Sequence, residues 1–151
     1  MPEIQVLRTD KGVKLPTQAT DRAQCMDLYA AEDVEIYPGE TKLIDLGVKL
    51  VLPEGYGLEF RERSGLATKG IIIGAGIIDE DYHGPLKAVV RWLPVDGKRK
   101  SFDIKRGDKI VQAELVKRIP ITIKDVGPLS FENTTKILKS NRGEAGFGST
   151  G

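Results

Sequence analysis

Ile44-Asp-Leu-Gly-Val-Lys-Leu-Val-Leu52 carries an apolar residue at every even position, while most of its odd positions are polar or glycine. A period of two sends alternate side chains to one face, the pattern of a half-buried β-strand. After the Pro53-Glu54-Gly55 turn the period resumes at Tyr56, Leu58 and Phe60. Shorter runs on either side predict strands at Ile4–Arg8, Val34–Tyr37, Ile71–Ile73, Leu86–Trp92, Lys109–Val116 and Ile121–Lys124. Eight prolines and seventeen glycines punctuate these runs at short intervals, which favours a closed or two-layered all-β domain over alternating β-α units. No sustained helical stripe and no internal repeat is visible. One short helical turn is predicted near Lys136–Ser140, within a linker-like stretch from about Ser130 to Ser140.

A chain of 151 residues, 40% apolar and 30% charged, is one domain long enough to bury a substantial core. Its 23 basic and 22 acidic residues leave a net charge of +1, so no global field draws it to nucleic acid or an anionic membrane, and any phosphate binding must be local. No apolar run approaches membrane-spanning length. With one cysteine, Cys25, and one histidine, His83, there is no internal disulfide, no Cys/His zinc site and no Ser-His-Asp triad; a metal would be a hard cation held by oxygens. The opening Met1-Pro-Glu-Ile-Gln5 lacks the basic and apolar regions of a secretory signal, and a reducing cytoplasmic or other intracellular setting is the expectation.

Five stretches carry the chemistry. Arg142-Gly-Glu-Ala-Gly-Phe-Gly-Ser-Thr-Gly151 combines a cation, an aromatic ring, four glycines and two hydroxyls, with almost nothing to build a core. Glycines let successive N–H groups turn around an anion, and Phe147 offers a flat face for a base. Arg63-Ser-Gly-Leu-Ala67 provides a guanidinium, a hydroxyl and backbone N–H groups suited to phosphate, or simply a turn. In Gly74-Ala-Gly-Ile-Ile-Asp-Glu-Asp-Tyr-His-Gly84, Asp79 follows an apolar pair, so a partly desolvated general base is one reading and a solvated acidic hairpin turn the other. Arg106-Gly-Asp-Lys-Ile-Val-Gln112 is a turn feeding a strand; Gln112 can donate to a phosphate or be an ordinary half-buried amide. Asp27, before Leu28-Tyr-Ala-Ala31, can assist a divalent cation or cap a turn.

In order and wording these stretches, with Cys25-Met-Asp-Leu-Tyr-Ala-Ala31 as the first, resemble the five motifs of the trimeric dUTP pyrophosphatases (dUTPases), over nearly the whole chain. The resemblance implies a jelly-roll-like β-barrel in a homotrimer, with residues 1–130 as the catalytic barrel and 131–151 as a tether and a Gly-rich arm that closes over substrate, swapped or tethered between subunits. It implies hydrolysis of dUTP to dUMP and pyrophosphate by water attack on the α-phosphorus. Asp79 is then the catalytic base; Arg63, Ser64, Gly65, Gln112, Arg142, Gly148, Ser149 and Thr150 bind phosphate; Gly76, Ile77, Ile78, Tyr82 and Phe147 bind uracil and deoxyribose. Mg2+ is the implied cofactor, with Asp27 acting through its water shell. A dCTP deaminase of the related fold and a non-catalytic nucleotide-binding regulatory relative are the alternatives. The chain departs from the family's usual residues at Cys25-Met26, Glu62, Pro85 and Arg91-Trp-Leu-Pro94.

Overall fold

The computed structural model describes residues 1–95 and 97–138, with side chains as far as 136. In chain order the strands are β1 (Gln5–Arg8), β2 (Thr17–Gln18), β3 (Met26–Tyr29), β4 (Val34–Ile36), β5 (Thr41–Asp45), β6 (Val48–Val51), β7 (Tyr56–Arg61), β8 (Ile71–Gly74), β9 (Ile77–Ile78), β10 (Lys87–Trp92), β11 (Phe102–Ile104) and β12 (Lys109–Lys117). Two helices join them, α1 (Ser64–Ala67) and α2 (Pro128–Leu138). The all-β expectation holds. Every pairing is antiparallel: a five-stranded sheet in the order β2-β3-β12-β7-β9, a three-stranded sheet β5-β10-β8, and the ribbons β1-β6 and β11-β4. Their inner faces share one core, which includes Ile36, Ile44, Leu58, Val90, Trp92 and Val111.

The stretch from Ile44 to Leu52 is two strands rather than one. β5 ends at Asp45 and β6 begins at Val48. Between them Gly47 takes φ +66°, a left-handed conformation that glycine adopts without strain, and its N–H donates to Asp45 Oδ1 at 2.7 Å. The corner carries the chain from the β5-β10-β8 sheet to the β1-β6 ribbon. Its parity survives the corner, because Ile44, Leu46, Val48, Leu50 and Leu52 are all buried. Hydrophobic alternation reports which way a side chain faces, not which sheet its backbone has joined.

The chain divides into two compact units, Met1–Ile119 and the part from Pro120 onward. In the second unit two expectations are corrected. Ile121–Lys124 forms no strand, and Ile121 and Ile123 are 79% and 89% exposed; alternation makes a strand only where a partner backbone is at hand. The stretch read as a linker from Ser130 is helical over Pro128–Leu138. Proline suits the first helical turn, where its missing N–H has no acceptor to lose. Lys136 pairs with Glu132 at 3.4 Å one turn away. Without a wide apolar stripe, this helix gives little periodic signal.

Candidate active site

On the five-stranded sheet, Asp27 of β3 lies opposite Gln112 of β12, which in turn lies opposite Arg61 of β7. Asp27 is 9% exposed, the one buried charged residue among those described. Burial of a carboxylate demands compensation, and it is supplied twice: Oδ1 accepts from Arg63 Nε at 3.0 Å, and Oδ2 from Lys109 Nζ at 2.7 Å. Arg63 Nη1 also donates to the Lys109 carbonyl at 3.2 Å. A bulge between Lys109 and Val111 shifts the register at this point, as bulges beside functional sites often do.

Gln112 Nε2 donates to the Glu62 carbonyl at 2.7 Å, and Glu62 Oε1 accepts from the Ile73 N–H at 3.0 Å. The departure at Glu62 is thus a tie from the end of β7 to β8. Immediately beyond it, Arg63 has extended backbone (φ −83°, ψ 133°) at the head of α1, and Leu66 and Ala67 both donate to its carbonyl at 2.9 Å. Ser64 and Gly65 are exposed, with nothing within 4 Å of the point where a Gly65 Cβ would sit. Their N–H groups precede the first intrahelical donor and face no helical carbonyl.

The other half of the site is the hairpin from Gly74 to Gly84. β8 pairs with β10 in one sheet and β9 with β7 in the other, so the chain changes sheets within two residues, Ala75 (φ 49°) and Gly76. Phe60 N–H donates to the Gly76 carbonyl at 2.7 Å and Ile78 lies opposite Leu58. At the tip, Tyr82 N–H donates to the Asp79 carbonyl at 3.1 Å, and Tyr82 Oη to the Pro85 carbonyl at 3.1 Å. The expected partial desolvation of Asp79 is absent: the residue is exposed, and its carboxylate has no hydrogen bond or ion pair among the described residues. A hairpin tip stands clear of the sheets that would cover it.

Asp79 separates two depressions. One, of about 490 Å³, is largely apolar, with Leu43, Ile77, Ile78, Tyr82 and Val89 in its wall. The second, of about 600 Å³, is lined by Glu54, Glu80, Asp81, His83 and Arg118. No group of three or more Asp, Glu, His or Cys side chains that could hold a metal ion occurs among the described residues. Arg142, Phe147, Gly148, Ser149 and Thr150 lie outside the described residues.

Residues 11–151 match the family described as dUTPase. The chain belongs to the dUTPase family. It is 39% identical, over 96% of its length and 85% of the relative's, to the deoxyuridine 5'-triphosphate nucleotidohydrolase of Candida albicans. It is 33% identical, over 98% and 92%, to that of Vaccinia virus strain Copenhagen. In structure it is similar to the Staphylococcus bacteriophage 80alpha dUTPase with dUPNHPP, at a TM-score of 0.81 and 28% identity, covering 99% of this chain and 98% of that one.

Of the dUTPase motifs, the structure joins the first, second and fourth through Asp27, Arg63 and Lys109, and hangs the third on the same sheet through β7 and β9. Sequence reading missed the ties made by Lys109, Glu62, Glu80 and Arg118. Lys109 had one signal, a charge opening the apolar run Ile110-Val111. Glu80 and Arg118 are 38 positions apart and had none.

Proposed function

We propose that this dUTPase-family chain hydrolyses dUTP to dUMP and pyrophosphate, as a homotrimer whose residues 131–151 form a tether and closing arm. The observation that carries the reading is the Asp79 carboxylate, without a hydrogen bond or ion pair among the described residues, at the edge of a largely apolar depression. The apolar depression suits a base; the second depression, walled by Glu54, Glu80 and Asp81, is too acidic to take the triphosphate. Asp79, free to accept a proton, orients the attacking water and takes its proton as the oxygen adds in line to the α-phosphorus. Backbone groups from Gly76 through Ile77 and Ile78 to Tyr82 pair with the uracil edge, so cytosine, with donor and acceptor exchanged, leaves buried groups unpaired. The Tyr82 ring packs against deoxyribose.

Phosphate oxygens are met by the free N–H groups of Ser64 and Gly65. Gln112 has one amide hydrogen left after its bond to Glu62, and Arg63 has donors beyond the two committed to Asp27 and Lys109. From the arm, Arg142, Gly148, Ser149 and Thr150 close on the outer phosphates and Phe147 stacks on the base. Mg2+, when bound to the triphosphate, neutralises its charge and restrains its geometry. The donor set around Asp27 fits an ion carried by the nucleotide: both Asp27 oxygens already accept from cations, which leaves lone pairs for a hydrogen bond to the ion's water but no uncommitted Asp27 oxygen for direct coordination.

The test is pyrophosphate release from each deoxynucleoside triphosphate with Mg2+ and the purified chain. Strong preference for dUTP is the expected result. Ammonia release from dCTP would replace this reading with the deaminase, and a solution mass of one or two chains would remove the trimer.

A further inference from the structure

Asp79 is held on both sides of its own peptide unit although its carboxylate makes no hydrogen bond or ion pair among the described residues. On its N-terminal side Ile78 is in the β9-β7 ladder opposite Leu58. On its C-terminal side Glu80 turns back from the hairpin. Its Oε1 accepts from the Gly55 N–H at 2.8 Å and its Oε2 from Arg118 Nε at 2.7 Å. Gly55 belongs to the turn between β6 and β7 and takes φ +79°, so a non-glycine residue there would be strained. Arg118, just past the end of β12, donates its own N–H to the Gly55 carbonyl at 2.8 Å. The three residues close a ring of hydrogen bonds.

We propose that Glu80, through Gly55 and Arg118, is a positioning residue that sets where the Asp79 carboxylate stands over the apolar cleft. The inference rests on the proposed role of Asp79. Its physical basis is reach: an exposed hairpin tip joined to a sheet by the two-residue strand β9 would otherwise swing, and a displacement of about 1 Å in a reacting group can cost a hundredfold in rate. Charge-assisted bonds are short and directional, and one carboxylate can hold a backbone donor with one oxygen and a guanidinium with the other. Neither neighbour duplicates this. Asp81 and Glu54 are both exposed, and neither carboxylate has a hydrogen bond or ion pair among the described residues.

The experiment compares the full chain with Glu80→Ala, Glu80→Gln, Arg118→Met and the Glu80→Ala/Arg118→Met double variant. Two readouts are taken well below each thermal midpoint: hydrogen exchange of the Gly55 amide, and kcat and KM for dUTP. In Glu80→Ala the Gly55 amide should exchange at least tenfold faster, and kcat should fall about tenfold with KM within threefold of wild type. Glu80→Gln, which keeps an acceptor for Gly55 and loses the charge facing Arg118, should be intermediate, and the double variant should match Glu80→Ala within twofold. Unchanged exchange, an unchanged kcat, or a double variant as slow as the product of the two single effects would each overturn the clamp. A wild-type chain inert toward dUTP would instead sink the proposed activity, and Gly55 exchange alone would then decide whether Glu80 holds the turn.

Discussion

Two acidic residues on the same sheet are treated in opposite ways. Asp27 is buried, and each of its oxygens is held by a cation. Asp79 is exposed, its carboxylate without a hydrogen bond or ion pair among the described residues, between the laddered Ile78 and Glu80, whose side chain holds Gly55. The first arrangement spends a charge on holding strands and the head of α1 together; the second keeps a charge available for chemistry. Each Asp27 oxygen has a lone pair committed, one to Arg63 and the other to Lys109. An exposed carboxylate that accepts no hydrogen bond among the described residues keeps its lone pairs open to a ligand or a water.

The largest test of this contrast is Asp79→Asn. Turnover of dUTP should fall by about a thousandfold, in the range of a lost general base, while the thermal midpoint stays put, since no bond of the fold is removed. A midpoint that moved with activity would mean Asp79 is structural after all. Asp27→Asn should do the reverse in proportion, leaving Arg63 and Lys109 facing a neutral group. A fully buried pair broken this way costs about 3–5 kcal/mol, but the two cations are 33% and 38% exposed, so about 2 kcal/mol is expected, or a midpoint roughly 6 °C lower for a chain of this size. Calorimetry decides it.

Acid sharpens the comparison further. The Gly55 N–H, and after it Arg118, hold the Glu80 carboxyl below its ordinary value. A lowered folded-state value means the contribution is complete above the unfolded carboxylate's titration, about pH 4.3, and is lost as pH falls through the folded value. The wild-type midpoint should therefore drop more steeply below about pH 4 than that of Glu80→Gln. Equal slopes would show that Glu80 is not linked to folding. The smallest effect concerns Cys25, next to the packed cluster. Burial, with Glu114 second, pushes its thiol upward, so alkylation near pH 8 should be slower than that of an unhindered thiol in a peptide; an equal rate would show the region around Asp27 to be more open than drawn.

Much of the fold was readable because burial follows parity. Every even position from Ile44 to Leu52 is buried, as alternation required, and the strands around Leu58, Val90 and Ala113 fall where the apolar period placed them. The exceptions have one cause. Gly47 turns the chain into a second sheet, and Ile121 and Ile123 alternate without a strand to pair with; both depend on where another backbone lies. The site divides in the same way. Asp79, Tyr82, Ser64 and Gly65 were marked by their local setting of turn and hydroxyl or carboxylate, whereas the commitments of Arg63 to Asp27 and of Gln112 to Glu62 were not.

By itself, then, the order of residues determined the β class, the faces of its strands and the membership of its five motifs in one family, because periodicity and motif wording are properties of neighbours along a chain. Tertiary structure alone decided which charges are neutralised and which are left bare. The Asp27–Arg63 pair spans 36 positions and the Glu80–Arg118 pair 38, and the electrostatic state of a carboxylate is set by what lies within a few ångströms in space, whatever its distance in sequence.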